Sequence, residues 1–177
     1  MSDLRHHKPR RGYRPCVGIA LFAQDGRVFM GKRSQKGAIP QFSWQMPQGG
    51  IDGGEGALQA ALRELYEETS VKSVRLAAEI EGWLHYDLPA EVGAFRGRYR
   101  GQAQRWFAFR FEGADDEIDV VNPPDGHSQE FSRWRWQSLE ETPALVVPFK
   151  RAVYETVVEG FMPLTQPPLR GAPSQAI

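Results

Sequence analysis

The chain has 177 residues, 41% of them hydrophobic, and its 22 basic and 22 acidic side chains balance to a net charge of +0. This composition suits one globular domain with a sizeable core, and the neutral balance gives no hint of a nucleic-acid partner. No apolar run reaches the ~20 residues of a membrane-spanning helix, and the basic N-terminus lacks the apolar segment of a secretory signal. The single cysteine, Cys16, cannot form an internal disulfide, so we expect a cytoplasmic protein and a buried thiol, with a catalytic thiol as the alternative.

A basic tail and a β-hairpin are predicted at the start of the chain. Residues 1–11 are polar and basic, which is typical of a flexible solvated tail; an arm that contacts nucleic-acid phosphates is the alternative. An apolar run at 15–23, an Asp-Gly turn and a second strand from Val28 predict the hairpin. Glycine and proline within 34–42 indicate a loop after it.

Strands, loops and a final helix are predicted in the second half of the chain. In order they are an extended segment at 74–88, a loop at 89–103, a strand at 105–111, a solvated acidic loop at 113–126, a half-buried strand at 131–137 and a helix at 148–161. Four prolines beyond Met162 predict a loose tail at 163–177.

The stretch from Gly49 to Val71 combines a glycine-rich loop with an acidic helix that is predicted to begin near Glu55. Three carboxylates at spacings of three and four residues share one helix face, and another face is expected to pack on the core. The acidic face consists of Glu64, Glu67 and Glu68, and the apolar face of Leu58, Ala61, Leu62 and Leu65. Crowded carboxylates destabilise a helix unless a cation lies among them, and hard divalent cations prefer oxygen ligands. The face is therefore a candidate metal site, with a solvated acidic surface as the alternative.

This stretch resembles the Nudix box, G-x5-E-x7-R-E-U-x-E-E-x-G-U with U apolar. The matching residues are Gly49, Glu55, Arg63, Glu64, Leu65, Glu67, Glu68 and Val71. Ser70 stands where the family has glycine, which puts the left-handed end of the helix in question at a cost of up to ~1 kcal/mol. The resemblance implies a Nudix fold over residues 12–162: an α/β protein whose mixed sheet lies between helices as an α/β/α sandwich.

Further motifs outside the box resemble one subgroup of that family, the bacterial RNA pyrophosphohydrolases, which are close kin of the asymmetrical diadenosine tetraphosphate hydrolases. The motifs lie at 12–18, 44–50, 104–107, 130–136 and 147–154. The subgroup implies metal-dependent removal of pyrophosphate from the 5′-triphosphate end of RNA, leaving a 5′-monophosphate. Hydrolysis of dinucleoside polyphosphates is the alternative reaction, and a non-catalytic Nudix module that binds nucleotides or RNA is the alternative from another class.

The resemblance also implies a catalytic set and a metal. The implied ligands of Mg²⁺, or of Mn²⁺, are Glu64, Glu67, Glu68 and Glu130. The residues leave open whether Glu64, Glu67 or Glu130 acts as general base. Arg63 is expected to point away from the metal face and to orient carboxylates such as Glu55 through charge-assisted hydrogen bonds.

Substrate contacts are implied for ten further residues. Those expected near the phosphates are Arg14, Gln48, Tyr86, Gln104 and Arg105. Those expected at the base are Arg33, Ser43, Val147, Phe149 and Lys150. Two alternatives stay open, because Arg14, placed just before the first predicted strand, is otherwise a surface arginine, and Phe149 is otherwise a core residue. Ala103 stands where related RNA enzymes carry lysine, which predicts a different grip on the phosphates.

Overall fold

The computed structural model describes residues 8–34, 42–90 and 98–167, which form a mixed sheet with helices on both faces. The strands are β1 (Tyr13–Phe22), β2 (Val28–Arg33), β3 (Trp44–Gln45), β4 (Gln48–Gly50), β5 (Val74–Asp87), β6 (Gly101–Phe111) and β7 (Phe131–Gln137). The helices are α1 (Ala57–Thr69), α2 (Thr142–Leu145) and α3 (Arg151–Phe161). Most of both predicted tails, and most of the loop predicted at 34–42, lie outside the described residues.

Strand β1 is the centre of the sheet. It runs parallel to β6 along its whole length and antiparallel to β4, where Cys16 lies opposite Gly50. It meets β2 only at its end, where Phe22 lies opposite Val28. The sheet therefore opens between β1 and β2, since β4 occupies the first half of that edge, and polar side chains can enter the opening without breaking backbone pairing.

Two apolar clusters hold the helices to the two faces of the sheet. Alternation along β6 sends Trp106 towards α3 and Phe107 towards α1. Val157 of α3 and Leu65 of α1 are fully buried in these clusters. Each such side chain contributes roughly 1.5–3 kcal/mol by leaving water. The predicted α/β/α sandwich is confirmed, and none of the helices in the described ranges is long and apolar enough to cross a membrane.

The apolar face predicted for α1 is partly wrong. Leu58 and Leu62 are 39% and 43% exposed, whereas Ala60 is fully buried beside Ala61 and Leu65. The helix begins at Ala57 and turns its carboxylate face towards β4, which rotates the two leucines outwards. Its small alanines then allow close approach to the sheet.

The end of α1 shows how this chain manages without the usual glycine. Ser70 adopts the left-handed conformation, with φ at 66°, and its backbone N–H donates to the Tyr66 carbonyl at 2.8 Å. The Ser70 hydroxyl donates to the Asp119 carbonyl at 3.1 Å, a bond that glycine could not make. The helix therefore ends at the position the motif requires, and this hydrogen bond offsets part of the backbone strain.

Three other predictions from the sequence differ from the structure. Strand β6 begins at Gly101, within the loop predicted at 89–103, because its backbone pairs with β1 from Tyr13 onwards. The middle of that loop, 91–97, lies outside the described residues. The acidic loop at 113–126 is not wholly solvated, since Ile118 and Val120 are buried against α1. Arg14 lies within β1 and not before it.

The first residues of the predicted tail are structured. Met162–Thr165 form a 3-10 turn, and Arg110 of β6 donates to the carbonyls of Leu164 at 2.6 Å and Gln166 at 3.0 Å. Arg110 is only 5% exposed, so these carbonyls supply the hydrogen bonds that its buried guanidinium needs.

Candidate active site

The carboxylate face of α1 is docked on strand β4. A Cβ at Gly49 would lie 1.8 Å from the carboxyl carbon of Glu64, so any side chain at this strand position would displace that carboxylate. One residue earlier, the backbone N–H of Gln48 donates to the Glu68 carboxylate at 3.3 Å. The glycine-rich strand thus fixes where Glu64 and Glu68 lie relative to the opening in the sheet.

Arg63 ties the glycine-rich loop to the helix. Its guanidinium makes a two-pronged contact with the Glu55 carboxylate, at 2.9 Å for each pair, and donates to the Gly50 carbonyl at 2.8 Å. This contact lowers the pKa of Glu55 to about 2. Arg63 also reaches Glu64 at 3.0 Å and Glu67 at 3.3 Å. The expected Glu55 contact is present, but the expectation that Arg63 points away from the carboxylate face is wrong.

Burial and neighbouring negative charges raise the pKa values of Glu64 and Glu68. Desolvation, followed by the neighbouring charges of Glu130 and Glu64, raises the pKa of Glu68 well above its usual range. Burial likewise raises the pKa of Glu64, although Arg63 and Arg14 counteract it. A cation among these oxygens would relieve both the desolvation and the repulsion.

The donor set fits a hard divalent cation, although the side chains are not arranged as a finished metal site. Across residues 8–34, 42–90 and 98–167, no three Asp, Glu, His or Cys side chains converge closely enough to hold an ion. Two of the predicted ligands, Glu64 and Glu67, instead contact Arg63. The fit therefore depends on the all-oxygen chemistry of the cluster and on the raised pKa values of Glu64 and Glu68.

A second group of polar side chains fills the opening between β1 and β2. Lys150 precedes α3 and donates to Gln48 at 3.0 Å and to Gln45 at 3.2 Å. Gln45 in turn lies 3.4 Å from the Glu130 carboxylate. Sequence reasoning did not single out Gln45, although it belongs to the motif at 44–50 and could have been found there. Through it, Glu130 on the far side of the opening is linked to the same group as Lys150.

Most of the residues predicted at the phosphates converge. Gln48 accepts a hydrogen bond from Gln104 at 3.2 Å and is hydrogen-bonded to Tyr86. Arg14 lies over Gly50, where an added Cβ would come within 2.4 Å of its guanidinium nitrogen, and its charge acts on Glu64. Arg14 is therefore beside the carboxylates and not a remote surface arginine.

Arg105 does not join this group. Neighbouring residues of a strand point to opposite faces, so Gln104 and Arg105 cannot both face Gln48. Arg105 instead forms an ion pair with Glu79 at 3.0 Å on the other face of the sheet. Its neighbour Ala103 is fully buried, which leaves no side-chain cation from this part of β6 near Gln48.

The residues predicted at the base border the same opening. Arg33 lies 3.4 Å from Glu130 and donates its backbone N–H to the Ser43 carbonyl at 2.8 Å. Phe149 is partly exposed, and its ring centroid lies 5.7 Å from that of Tyr86. Val147 and Phe149 both pack against the apolar cluster under α3. Phe149 thus combines a core contact with an exposed ring surface.

Cys16 lies at the bottom of the opening and is fully buried. Burial raises the pKa of its thiol to about 12, so the thiol is protonated at neutral pH. A protonated, inaccessible thiol is a poor nucleophile, which agrees with the expected buried thiol and weighs against the catalytic alternative.

Lys150 provides a pH-dependent test of this arrangement. Burial, followed by the charge of Arg33, lowers its pKa from 10.5 to about 7, so the unfolded chain binds more protons between these values. Stability should therefore rise with pH across that window in metal-free protein. In Lys150→Met this rise should be weaker by up to ~1.4 kcal/mol per pH unit, the effect of one proton. Chemical denaturation at a series of pH values measures it, and parallel curves for the two proteins would contradict the buried, partly neutral lysine.

Comparisons with known proteins bear on this site. Residues 12–157 match the model of the NUDIX domain family. Over 160 residues the chain is 57% identical to a protein of Agrobacterium fabrum named RNA pyrophosphohydrolase, covering 86% of this chain and 94% of the relative. A protein of Rhizobium meliloti with the same name is 52% identical over 161 residues, covering 87% and 96%. These relatives confirm the resemblance to the RNA pyrophosphohydrolase subgroup.

Solved structures agree on the fold. The Escherichia coli dihydroneopterin triphosphate pyrophosphohydrolase superposes with a TM-score of 0.61 at 22% identity, covering 84% of this chain and 99% of that one. A Caenorhabditis elegans Ap4A hydrolase superposes with a TM-score of 0.56 at 16% identity, covering 84% and 98%. With the family matched from residue 12 to residue 157 and relatives more than half identical, the chain belongs to the Nudix hydrolase family.

Proposed function

We propose that this protein removes pyrophosphate from the 5′-triphosphate end of RNA with the help of a divalent metal ion. The observation that carries the proposal is the position of the partly buried Glu68 carboxylate. It lies beside Glu64 and Glu130, and its backbone partner Gln48 also binds Lys150 and Gln104. Carboxylate oxygens that can bind a metal thus lie next to side chains that can donate hydrogen bonds to phosphates. The chain is also similar to proteins named RNA pyrophosphohydrolase.

Nudix hydrolases need a divalent metal, and Glu64, Glu67, Glu68 and Glu130 are the residues we propose to hold it. Mg²⁺ is the proposed ion, because carboxylates combined with substrate phosphates are its usual ligands, and Mn²⁺ is the alternative. When bound, such an ion neutralises phosphate charge and makes water a better nucleophile. A cytoplasmic location, where thiols such as Cys16 stay reduced, is part of the proposal.

The protein's own groups would position the triphosphate for attack in line with the leaving group. Arg14 would bind a phosphate beyond the bond that breaks. Lys150 and Gln104, which both contact Gln48, would orient the triphosphate on that side of the opening. A carboxylate among Glu64, Glu67 and Glu130 would accept the proton of the attacking water. Arg105 has no place in this scheme because its side chain points away from Gln48 and pairs with Glu79.

Pyrophosphate release from 5′-triphosphorylated RNA tests the proposal directly. We expect release with Mg²⁺ or Mn²⁺ and none in excess chelator, while 5′-monophosphorylated RNA of the same sequence stays intact. Faster hydrolysis of diadenosine tetraphosphate than of RNA would favour the alternative reaction. Tight binding of triphosphorylated RNA without any turnover would indicate the non-catalytic module instead.

Arg14→Ala should remove much of the preference for the triphosphate end. Arg14 lies against Gly50 and acts on Glu64, so it is placed to meet a phosphate near the carboxylates. Loss of one charged hydrogen bond should weaken binding of triphosphorylated RNA by ~1.5–3 kcal/mol and of monophosphorylated RNA by less. Paired titrations of the two RNAs measure this, with Arg75→Ala, an exposed arginine of β5, as control. A variant that still distinguishes the two ends as well as the parent would exclude the proposed contact.

Phe149→Ala should weaken RNA binding more than it destabilises the fold. The ring is partly exposed beside Tyr86, so a base can stack on it, and such stacking is worth ~1–3 kcal/mol. Binding titrations and thermal denaturation of the same preparation separate the two roles. If the melting temperature falls by several degrees while folded protein binds RNA normally, Phe149 is a core residue only.

A further inference from the structure

A basic and aromatic surface, which we call the arginine face, lies on the sheet next to the candidate site. Lys32 of β2 lies opposite Trp44 of β3 on one side and opposite Arg133 of β7 on the other. Residues paired in this way project to the same face of a sheet. Arg135 lies two residues along β7, opposite Met30, and projects to that face as well. Three cations and one indole therefore share a rigid surface.

Two arginines of the arginine face lie over its tryptophan ring. The guanidinium carbon of Arg135 lies 4.1 Å from the centre of the Trp44 ring, and that of Arg133 lies 5.6 Å from it. Arg133 and Arg135 are exposed, and Trp44 is partly buried against the cluster under α3. Both guanidinium groups thus lie within cation-π distance of one indole ring, and both side chains remain open to solvent.

The charge of this face is not neutralised within the described part of the chain. In residues 8–34, 42–90 and 98–167, no carboxylate forms an ion pair with Lys32, Arg133 or Arg135. The protein as a whole has a net charge of +0, and other surface arginines are paired, such as Arg27 with Asp25 and Arg75 with Glu112. A local excess of three positive charges on a neutral protein favours an anionic partner.

The arginine face adjoins the candidate site along two strands. Lys32 precedes Arg33, whose side chain lies 3.4 Å from Glu130. Trp44 packs against the same apolar cluster as Phe149, which is predicted at the base. A polymer whose end occupies the opening between β1 and β2 would therefore have a path past this face.

We infer that the arginine face of Lys32, Trp44, Arg133 and Arg135 binds the RNA chain downstream of the 5′ end. This inference rests on the proposed function and extends it from the RNA end to the nucleotides that follow. Cations bind phosphates without regard to sequence, while the indole and the flat guanidinium groups offer stacking surfaces to unpaired bases. An acidic protein segment would satisfy the charges but would not use the stacked planar groups.

The test compares R133Q/R135Q with a control, R27Q/R75Q, that removes the same charge elsewhere on the surface. The substrates are a 5′-triphosphorylated dinucleotide and a 5′-triphosphorylated RNA of about 12 nucleotides, a length within the range of single-strand binding sites. For the longer RNA, the KM of R133Q/R135Q should rise by roughly tenfold with kcat unchanged. A plot of the logarithm of its RNA affinity against the logarithm of the salt concentration should be less steep than that of the parent by about 1.4. The dinucleotide should be hydrolysed normally, and the control should resemble the parent with both substrates.

The outcomes separate this inference from the proposed function. If the parent hydrolyses both RNAs and R133Q/R135Q keeps the parental KM for the longer one, the arginine face does not bind RNA and suits a protein partner instead. An equal loss with the dinucleotide, or an equal loss in the control, also overturns the inference. If the parent hydrolyses neither RNA, the proposed function fails, and binding of a 5′-hydroxyl RNA of the longer length still tests the face. In that case, weaker binding of this RNA by R133Q/R135Q than by R27Q/R75Q supports an RNA-binding arginine face. Equal binding by the two variants overturns the inference.

Discussion

Glu68→Gln is expected to slow pyrophosphate release from 5′-triphosphorylated RNA by on the order of a hundredfold or more, the scale of losing one electrostatic catalytic group. The substitution keeps the size of the side chain and a hydrogen-bonding oxygen opposite the Gln48 N–H. It removes the negative charge, which is what a divalent cation needs from this position. The loss should fall mainly on kcat, because the metal acts on charge that develops in the transition state.

Stability provides a second measurement that separates chemistry from folding. Burial and the charges of Glu130 and Glu64 raise the pKa of Glu68, so its ionised form destabilises the folded protein at neutral pH. In excess chelator, Glu68→Gln should therefore melt no lower than the parent, while added Mg²⁺ should stabilise it less. Glu159→Gln, at an exposed position of α3, is the matched control. Near-normal turnover in Glu68→Gln would remove this residue from the proposed metal ligands.

The carboxylate face could be predicted from the sequence because its geometry is local. Spacings of three and four residues place Glu64, Glu67 and Glu68 on one side of any helix, whatever the rest of the fold. The rotation of that helix is not local. Leu58 and Leu62 are exposed because contact with β4 decides which side faces the sheet, and this contact depends on strand pairing.

The rest of the site depends on the opening between β1 and β2. Lys150, Gln45 and Glu130 are far apart in the chain and converge only because β4 displaces β2 from the first half of β1. Resemblance to the family placed Lys150 and Glu130 near the site, whereas helical or strand periodicity could not. The separation of Arg105 from Gln104 is predictable from the sequence, since adjacent residues of a strand point to opposite faces.

The effect of Ser70, which replaces the glycine of the Nudix box, on the end of α1 could not be predicted from the motif. The left-handed backbone conformation is kept, and the compensating hydrogen bond comes from Asp119, which is distant in sequence. Only the packing of the acidic loop against the end of α1 brings that carbonyl within reach.

Arg63→Lys is expected to reduce metal affinity or turnover by about 10–100-fold, the usual effect of removing a group that orients metal ligands. A lysine can supply the charge but not the planar fork that contacts both oxygens of Glu55. It also cannot reach Gly50, Glu64 and Glu67 at the same time, as Arg63 does. The glycine-rich loop and the carboxylate face would then be held less firmly relative to each other.

The same substitution should lower the free energy of unfolding by ~1.5–3 kcal/mol, the range for hydrogen bonds to charged groups. The pKa of Glu55 is lowered from 4.5 to about 2, so its contribution to stability is present above pH 4.5 and lost as the pH falls through about 2. The difference between parent and Arg63→Lys should accordingly be constant near neutral pH and shrink below pH 4.5. Denaturation curves across this range, with Arg75→Lys at the exposed Glu112 pair as control, measure it. A variant with parental metal affinity and an unchanged acid profile would show that Arg63 does not link the loop to the carboxylate face.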